Sequence, residues 1–171
     1  MSITDELIAK NRTFADVTPD SSFDVKPTRQ LTIVTCMDSR IDVFQVLGLG
    51  RGEAHILRNA GGVITDDVIR SLAISQRLLD TVEVMLIHHT DCGMQKLSDD
   101  GFRADLQKAT GVAPAFAIES FDDPVADARQ SILRVRRSAF LLHRDRVRGF
   151  VYDVDTHLLR EVEVDEDASP A

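Results

Sequence analysis

Cysteine is scarce in this chain and tryptophan is missing altogether. Only Cys36 and Cys92 occur in 171 residues. Two thiols so far apart are no disulfide framework; in a reducing compartment they are core thiols, nucleophiles or metal ligands. No apolar run approaches the ~18 residues that cross a membrane. The start "MSITDELIAKNR" also lacks the basic cluster and apolar core of a secretory signal, so the expectation is a cytoplasmic protein with no membrane partner. Bases are outnumbered, 20 against 28 acids for a net charge of −8. That balance argues against nucleic acid as a partner, because a phosphate backbone is held by clustered Lys and Arg. There is no Gly-x-Gly-x-x-Gly and no Gly-Lys-Ser/Thr, so Gly61 and Gly62 read as a backbone turn rather than a phosphate loop.

What is present has the composition of an ordinary globular domain, 43% apolar and 28% charged, in a chain long enough to bury a core of its own. An amphipathic helix is expected over Thr4 to Phe14, then an exposed linker, "VTPDSSFDVKP". The β-branched run Leu31 to Thr35 reads as a buried strand, Val43 to Leu47 as a helical turn, and "AHILRNAGG" (54–62) as a second apolar run ending in glycines. "TDDVIRSLAISQRLL" (65–79) combines a Thr cap, two acids in the first turn and apolar residues near 3.6 spacing, which predicts a helix. "TVEVMLIHHTDCG" (81–93) gives a third strand run. The stretch 100–122 carries no decisive pattern; Pro124 to Arg137 reads as a helix, and 147–164 as two strands joined around Asp155 and Thr156. Strands interleaved with helices predict an α/β fold: a mainly parallel central sheet flanked by helices, with a C-terminal antiparallel edge. In such sheets ligands gather beyond the carboxyl ends of the strands, where both cysteines fall.

Cys36, His89 and Cys92 together offer two thiolates and one imidazole. That set suits zinc, and three protein ligands leave a fourth position open, as in catalytic rather than structural sites. Two small core thiols and a hydrogen-bonded core histidine account equally well for the residue types alone. Asp38 and Arg40 shift the balance, since alternate residues of an extended segment can share a side and meet as a bidentate pair beside the metal. His88 is a weak candidate for proton transfer; packing on the opposite side of the strand is the commoner role. The arginines at 134, 136, 137, 144, 146 and 148 are expected to be solvated or paired within the chain. His55, His143 and His157 have no spacing that recommends them.

"CMDSR" followed by "HHTDCG" resembles the β-class carbonic anhydrases, whose pattern is Cys-x-Asp-x-Arg and later His-x-x-Cys; "RNAGG" (58–62) resembles the family's turn, and "RGFVYDV" extends the likeness loosely. The resemblance implies one zinc ion per chain on Cys36, His89 and Cys92. It implies a catalytic dyad of Asp38 and Arg40, and Asp38 as a conditional fourth ligand in a closed state. The implied activity is reversible hydration of carbon dioxide to bicarbonate and a proton by a zinc hydroxide nucleophile. Relatives within the family resemble this chain yet hydrolyse carbonyl sulfide or carbon disulfide, so those gases are the alternative substrates. A zinc-binding module without catalysis and a redox dithiol protein are further alternatives. The lack of Trp, with a single Tyr152, argues against the branch that carries a Trp, Arg and Tyr bicarbonate-inhibition site, and the chain looks more like the short bacterial branch. The resemblance also implies a homodimer with exchanged N-terminal elements, able to pair into a tetramer. The expected organisation is an N-terminal helix and linker arm (1–30), a zinc-binding catalytic α/β domain (31–164) and an acidic tail (165–171).

Overall fold

The computed structural model describes residues 2–18 and 22–164; the acidic tail lies outside the described residues. Helix α1 runs Ile3–Val17, followed by β1 Leu31–Cys36, α2 Val43–Leu47 and β2 Ala54–Asn59. A 3₁₀ turn at Ala60–Gly62 leads to α3 Asp66–Leu78 and β3 Glu83–His89, and a second at Gly93–Lys96 leads to α4 Asp99–Thr110. Helix α5 Pro124–Arg137 and strands β4 Val147–Tyr152 and β5 Leu159–Val162 complete the fold.

The strands form one sheet in the order β2-β1-β3-β4-β5. β1, β2, β3 and β4 are parallel, and β5 closes the edge antiparallel to β4. This is the α/β architecture expected. Alternation along the strands separates two faces. Val34, Val84, Leu86 and Val147 pack with Val68 and Leu72 of α3 and with Ile132 and Val135 of α5. Ile33 and Ile87 pack with Val43 of α2, Met94 and Phe121 on the other side. Gly149 matters here because a Cβ on it would lie 2.7 Å from Ile132 Cδ1, so the missing side chain lets α5 settle against β4.

The helices begin where side chains satisfy their free N–H groups. Asp42 accepts from Phe44 and Gln45, Thr65 from Val68, Ser98 from Gly101, and Asp123 from Val125 with Pro124 in the first turn. Helix α1 extends three residues beyond the expected Phe14, and the third strand is shorter than its apolar run, starting at Glu83 and ending at His89. The indecisive stretch holds α4. It buries no residue, so it never needed the apolar stripe by which a helix is recognised. Helix α1 buries none either, and Ile3, Leu7, Phe14 and Val17 stand exposed. Among the described residues no helix is long and apolar enough to cross a membrane.

The turn after β2 sets the depth at which β1 ends. Gly62 has φ +72, and a Cβ there would lie 2.8 Å from the Cys36 main-chain nitrogen. Left-handed strain and a clash with backbone combine at this position. Gly62→Ala is therefore expected to destabilise the protein by roughly 2–4 kcal/mol, measured as a lowered urea midpoint after chelator treatment so that metal binding does not enter.

Candidate metal centre

Parallel pairing of β1 with β3, in the register Thr35 opposite Ile87, brings two strand tips side by side. Cys36 is the last residue of β1 and His89 the last of β3. Cys92 follows in the turn, where its N–H donates to Gln95 Oε1 (3.0 Å) while Gln95 Nε2 donates to the Asp122 carbonyl (2.9 Å). The three side chains are buried, and their ligand atoms all lie within 4.8 Å of one another. The two Sγ atoms are 3.9 Å apart and both cysteines are free. Tetrahedral thiolate ligands at about 2.3 Å from a metal sit about 3.8 Å from each other, so the sulfurs stand at the spacing of co-ligands.

His89 decides between a core imidazole and a ligand. Its Nδ1 lies 2.9 Å from the Thr90 carbonyl. A carbonyl only accepts, so Nδ1 carries the proton and Nε2 presents a lone pair. That Nε2 is buried and has no hydrogen-bond partner. Thr90 is fixed in turn, donating from its N–H to the Tyr152 carbonyl (2.9 Å) and accepting on Oγ1 from the Val154 N–H (3.0 Å). An oriented imidazole whose free nitrogen points at two thiols is the arrangement of a metal ligand with its outer support already in place.

The thiols are electrostatically unequal. The hydrogen bond between the two sulfurs pulls the Cys36 thiol down and pushes the Cys92 thiol up.

Asp38 and Arg40 do meet, but in a turn rather than along an extended strand. Asp38 Oδ1 accepts from the Arg40 N–H (2.9 Å) and Nε (3.0 Å), and Oδ2 accepts from Arg40 Nη2 (2.8 Å). The Arg40 guanidinium holds the Asp38 carboxyl well below the usual carboxylate range. Asp38 Oδ2 lies 3.9 Å from His89 Nε2, at the rim of the ligand cluster. The turn is clamped from β2 by Arg58, whose Nε donates to the Cys36 carbonyl (2.9 Å) and Nη2 to the Asp38 carbonyl (2.7 Å).

Other sequence candidates fall elsewhere. His88 is wholly buried, with Nε2 2.6 Å from Asp127 of α5. Arg134 pairs with Glu119 and Asp66, and Arg148 with Glu161. His55 binds Ser75, and His157 binds Tyr152. Reading by residue spacing gave no role to Arg58, Gln95 or Asp91, which bonds Arg40. Their contacts are to main chain or to an arginine already spoken for, and no spacing rule signals either.

A family model described as carbonic anhydrase matches residues 31–134, a span that contains every residue of this cluster. The chain belongs to the β-class carbonic anhydrases. It is 48% identical over 162 residues to β-carbonic anhydrase 1 of Mycobacterium tuberculosis, covering 95% of this chain and 99% of that one. The carbon disulfide hydrolase of an Acidianus strain is 32% identical over 157 residues, covering 78% and 77%. Among solved structures, a carbonic anhydrase from Streptococcus mutans superposes with a TM-score of 0.90 at 41% identity, over 95% of this chain and 99% of that one. The family's relatives thus include both carbonic anhydrases and carbon disulfide hydrolases.

Adding cobalt(II) to metal-free protein is expected to saturate at one equivalent per chain, with thiolate-to-metal charge-transfer absorption and release of protons as the thiols become ligands. A Cys92→Ser variant that binds cobalt as the parent does, with the same absorption, would contradict this assignment.

Proposed function

We propose that this chain is a zinc enzyme that interconverts carbon dioxide and bicarbonate, with one zinc ion held by Cys36, His89 and Cys92. The observation that carries the reading is the buried, unpartnered Nε2 of His89 aimed at two thiols; two sulfurs and one imidazole are the donor set zinc prefers. Zinc bound there supplies Lewis acidity, bringing a coordinated water into ionisation near neutrality.

The chain's own residues do the rest. Asp38, ionised, can only accept hydrogen bonds. Three Arg40 donors occupy one side of its carboxylate, so its remaining acceptor capacity orients an incoming O–H at the edge of the cluster. Arg40 keeps Asp38 charged and stationary. To become a fourth metal ligand, Asp38 would have to give up its bonds from Arg40, so we read the arrangement described here as the open form.

Hydrolysis of carbon disulfide or carbonyl sulfide is the competing reading, supported by relatives that carry the first of those names. Identity of 48% across nearly the whole length of a carbonic anhydrase, against 32% over three quarters of a carbon disulfide hydrolase, favours carbon dioxide. Free thiols serve as ligands only while reduced, which is consistent with the cytoplasm. We also infer a homodimer. Isolated helices of about 15 residues are marginal in water, yet α1 leaves its apolar side chains uncovered. A cleft of about 690 Å³ beside the cluster, with Met37, Leu97, Phe102 and Phe116 in its walls, offers a second copy an apolar surface of the same kind.

Purified protein is expected to contain zinc at one per chain and to hydrate carbon dioxide faster than it hydrolyses carbonyl sulfide or carbon disulfide; a zinc-free sample inert toward all three gases would overturn the reading. Asp38→Asn should retain zinc and lose roughly 100-fold in kcat, whereas unchanged activity would leave only a metal-binding scaffold. In sedimentation, Leu7→Asp with Phe14→Asp should shift the protein toward monomer, and an unaltered profile would remove α1 from the interface.

A further inference from the structure

Arg40 is held from two sides, and only one of them belongs to the dyad. Its Nη1 donates to Asp91 Oδ2 at 2.9 Å, and its Nη2 donates to the Asp91 main-chain carbonyl at 2.9 Å while also serving Asp38 Oδ2. The Asp91 carboxylate is shared in turn with Lys96 Nζ, 2.7 Å from Oδ1. Asp91 has φ +52, an uncommon conformation outside glycine. It turns the carbonyl and the side chain of one residue onto the same guanidinium, one position before Cys92.

We propose that Asp91 is a positioning residue, fixing the Arg40 guanidinium in the orientation that presents Nε and Nη2 together to Asp38. Stability does not account for the contact. Asp91 and Arg40 are 54% and 44% exposed, and ion pairs so open to water add little to folding. The two contacts act on orientation. A guanidinium is a planar fork, so gripping Nη1 and Nη2 on one side fixes the plane in which the other edge meets its carboxylate. Without the Asp91 carboxylate, Arg40 would keep its charge, its tether to Asp38 and the main-chain bond from Nη2, but Nη1 would lose its partner and the far edge of the fork would be held at one point instead of two. Asp38 would then lose the stationary partner on which its own aim depends. Because Asp91 belongs to the turn that carries Cys92, the same grip ties the acid to the metal loop.

The consequence for rate rests on the carbon dioxide hydration proposed above; the orientation of Arg40 does not. The test uses zinc-loaded protein with two variants suited to a left-handed residue: Asp91→Gly removes the carboxylate, and Asp91→Asn keeps its shape and a neutral acceptor. Side-chain NMR of Arg40, assigned by its loss in Arg40→Lys, is expected to show resolved Nη protons in the parent. These signals should collapse to an average in Asp91→Gly and broaden in Asp91→Asn. With zinc still at one per chain, kcat should fall roughly tenfold in Asp91→Gly with KM little changed, and less in Asp91→Asn. Unchanged Arg40 signals in Asp91→Gly, or an activity loss that merely tracks zinc loss, would overturn the proposal. A parent protein inert toward carbon dioxide would sink the hydration reading, while the NMR comparison would still decide whether Asp91 positions Arg40.

Discussion

The register between β1 and β3 is the constraint on which the site depends. Side chains alternate along a strand, so a slip of one residue would move every β3 side chain to the other face. In this chain that error is chemically plausible, because His88 and His89 are neighbours and a slipped strand would still offer an imidazole. Several contacts oppose it. Thr35 Oγ1 donates to the Ile87 carbonyl across the pair (2.9 Å). On the α5 side, His88 Nε2 meets Asp127 in a place that no aliphatic neighbour could fill. Leu86 and Ile87 are both wholly buried but on opposite faces, so exchanging them would unpack both layers. The doublet is resolved into one histidine paired with Asp127 and one beside the two thiols by everything packed around it.

The ligand cluster is a poor bargain for folding by itself. A buried polar atom without a partner costs about 1–3 kcal/mol, and His89 Nε2 is such an atom. Beside it two buried thiols have only each other as side-chain partners. A bound metal offsets that cost, and the binding free energy then becomes folding free energy. Support around the cluster is arranged so that the ligands wait in place: Thr90 sets the imidazole, Gln95 holds the Cys92 turn, and Arg58 clamps the carbonyls of Cys36 and Asp38.

Legibility in the sequence followed burial. The expected bounds of β1, α2 and α5 agree closely with the structure. The α/β class followed from their alternation. Helix α4 was illegible because it lies against the domain without burying a residue. At the centre, residue types and spacing brought Cys36, His89 and Cys92 together, since metal chemistry admits few side chains. The Asp38 and Arg40 contact was anticipated for an incomplete reason: periodicity in an extended segment is replaced by an Asx-type turn in which the carboxylate also caps the Arg40 N–H. Arg58 could not have been read, because its targets are carbonyls set by the β1–β2 register.

The same burial limits how a proton can leave. On the reading proposed above, each hydration releases one, and His88 is the imidazole next to a ligand. It is fully buried, its Nε2 is committed to Asp127, and its Nδ1 meets no partner among the described residues. A relay must exchange its proton with water, and a ring without solvent contact does so only if the local structure opens. Asp38 and Arg40, by contrast, stand partly exposed at the rim, so on that reading the oriented O–H lies nearer to solvent than the His88 ring. In this chain the histidine beside the site is more useful held still: its bond to α5 keeps β3 in register, and the exposed edge of the dyad turn remains the shorter way out.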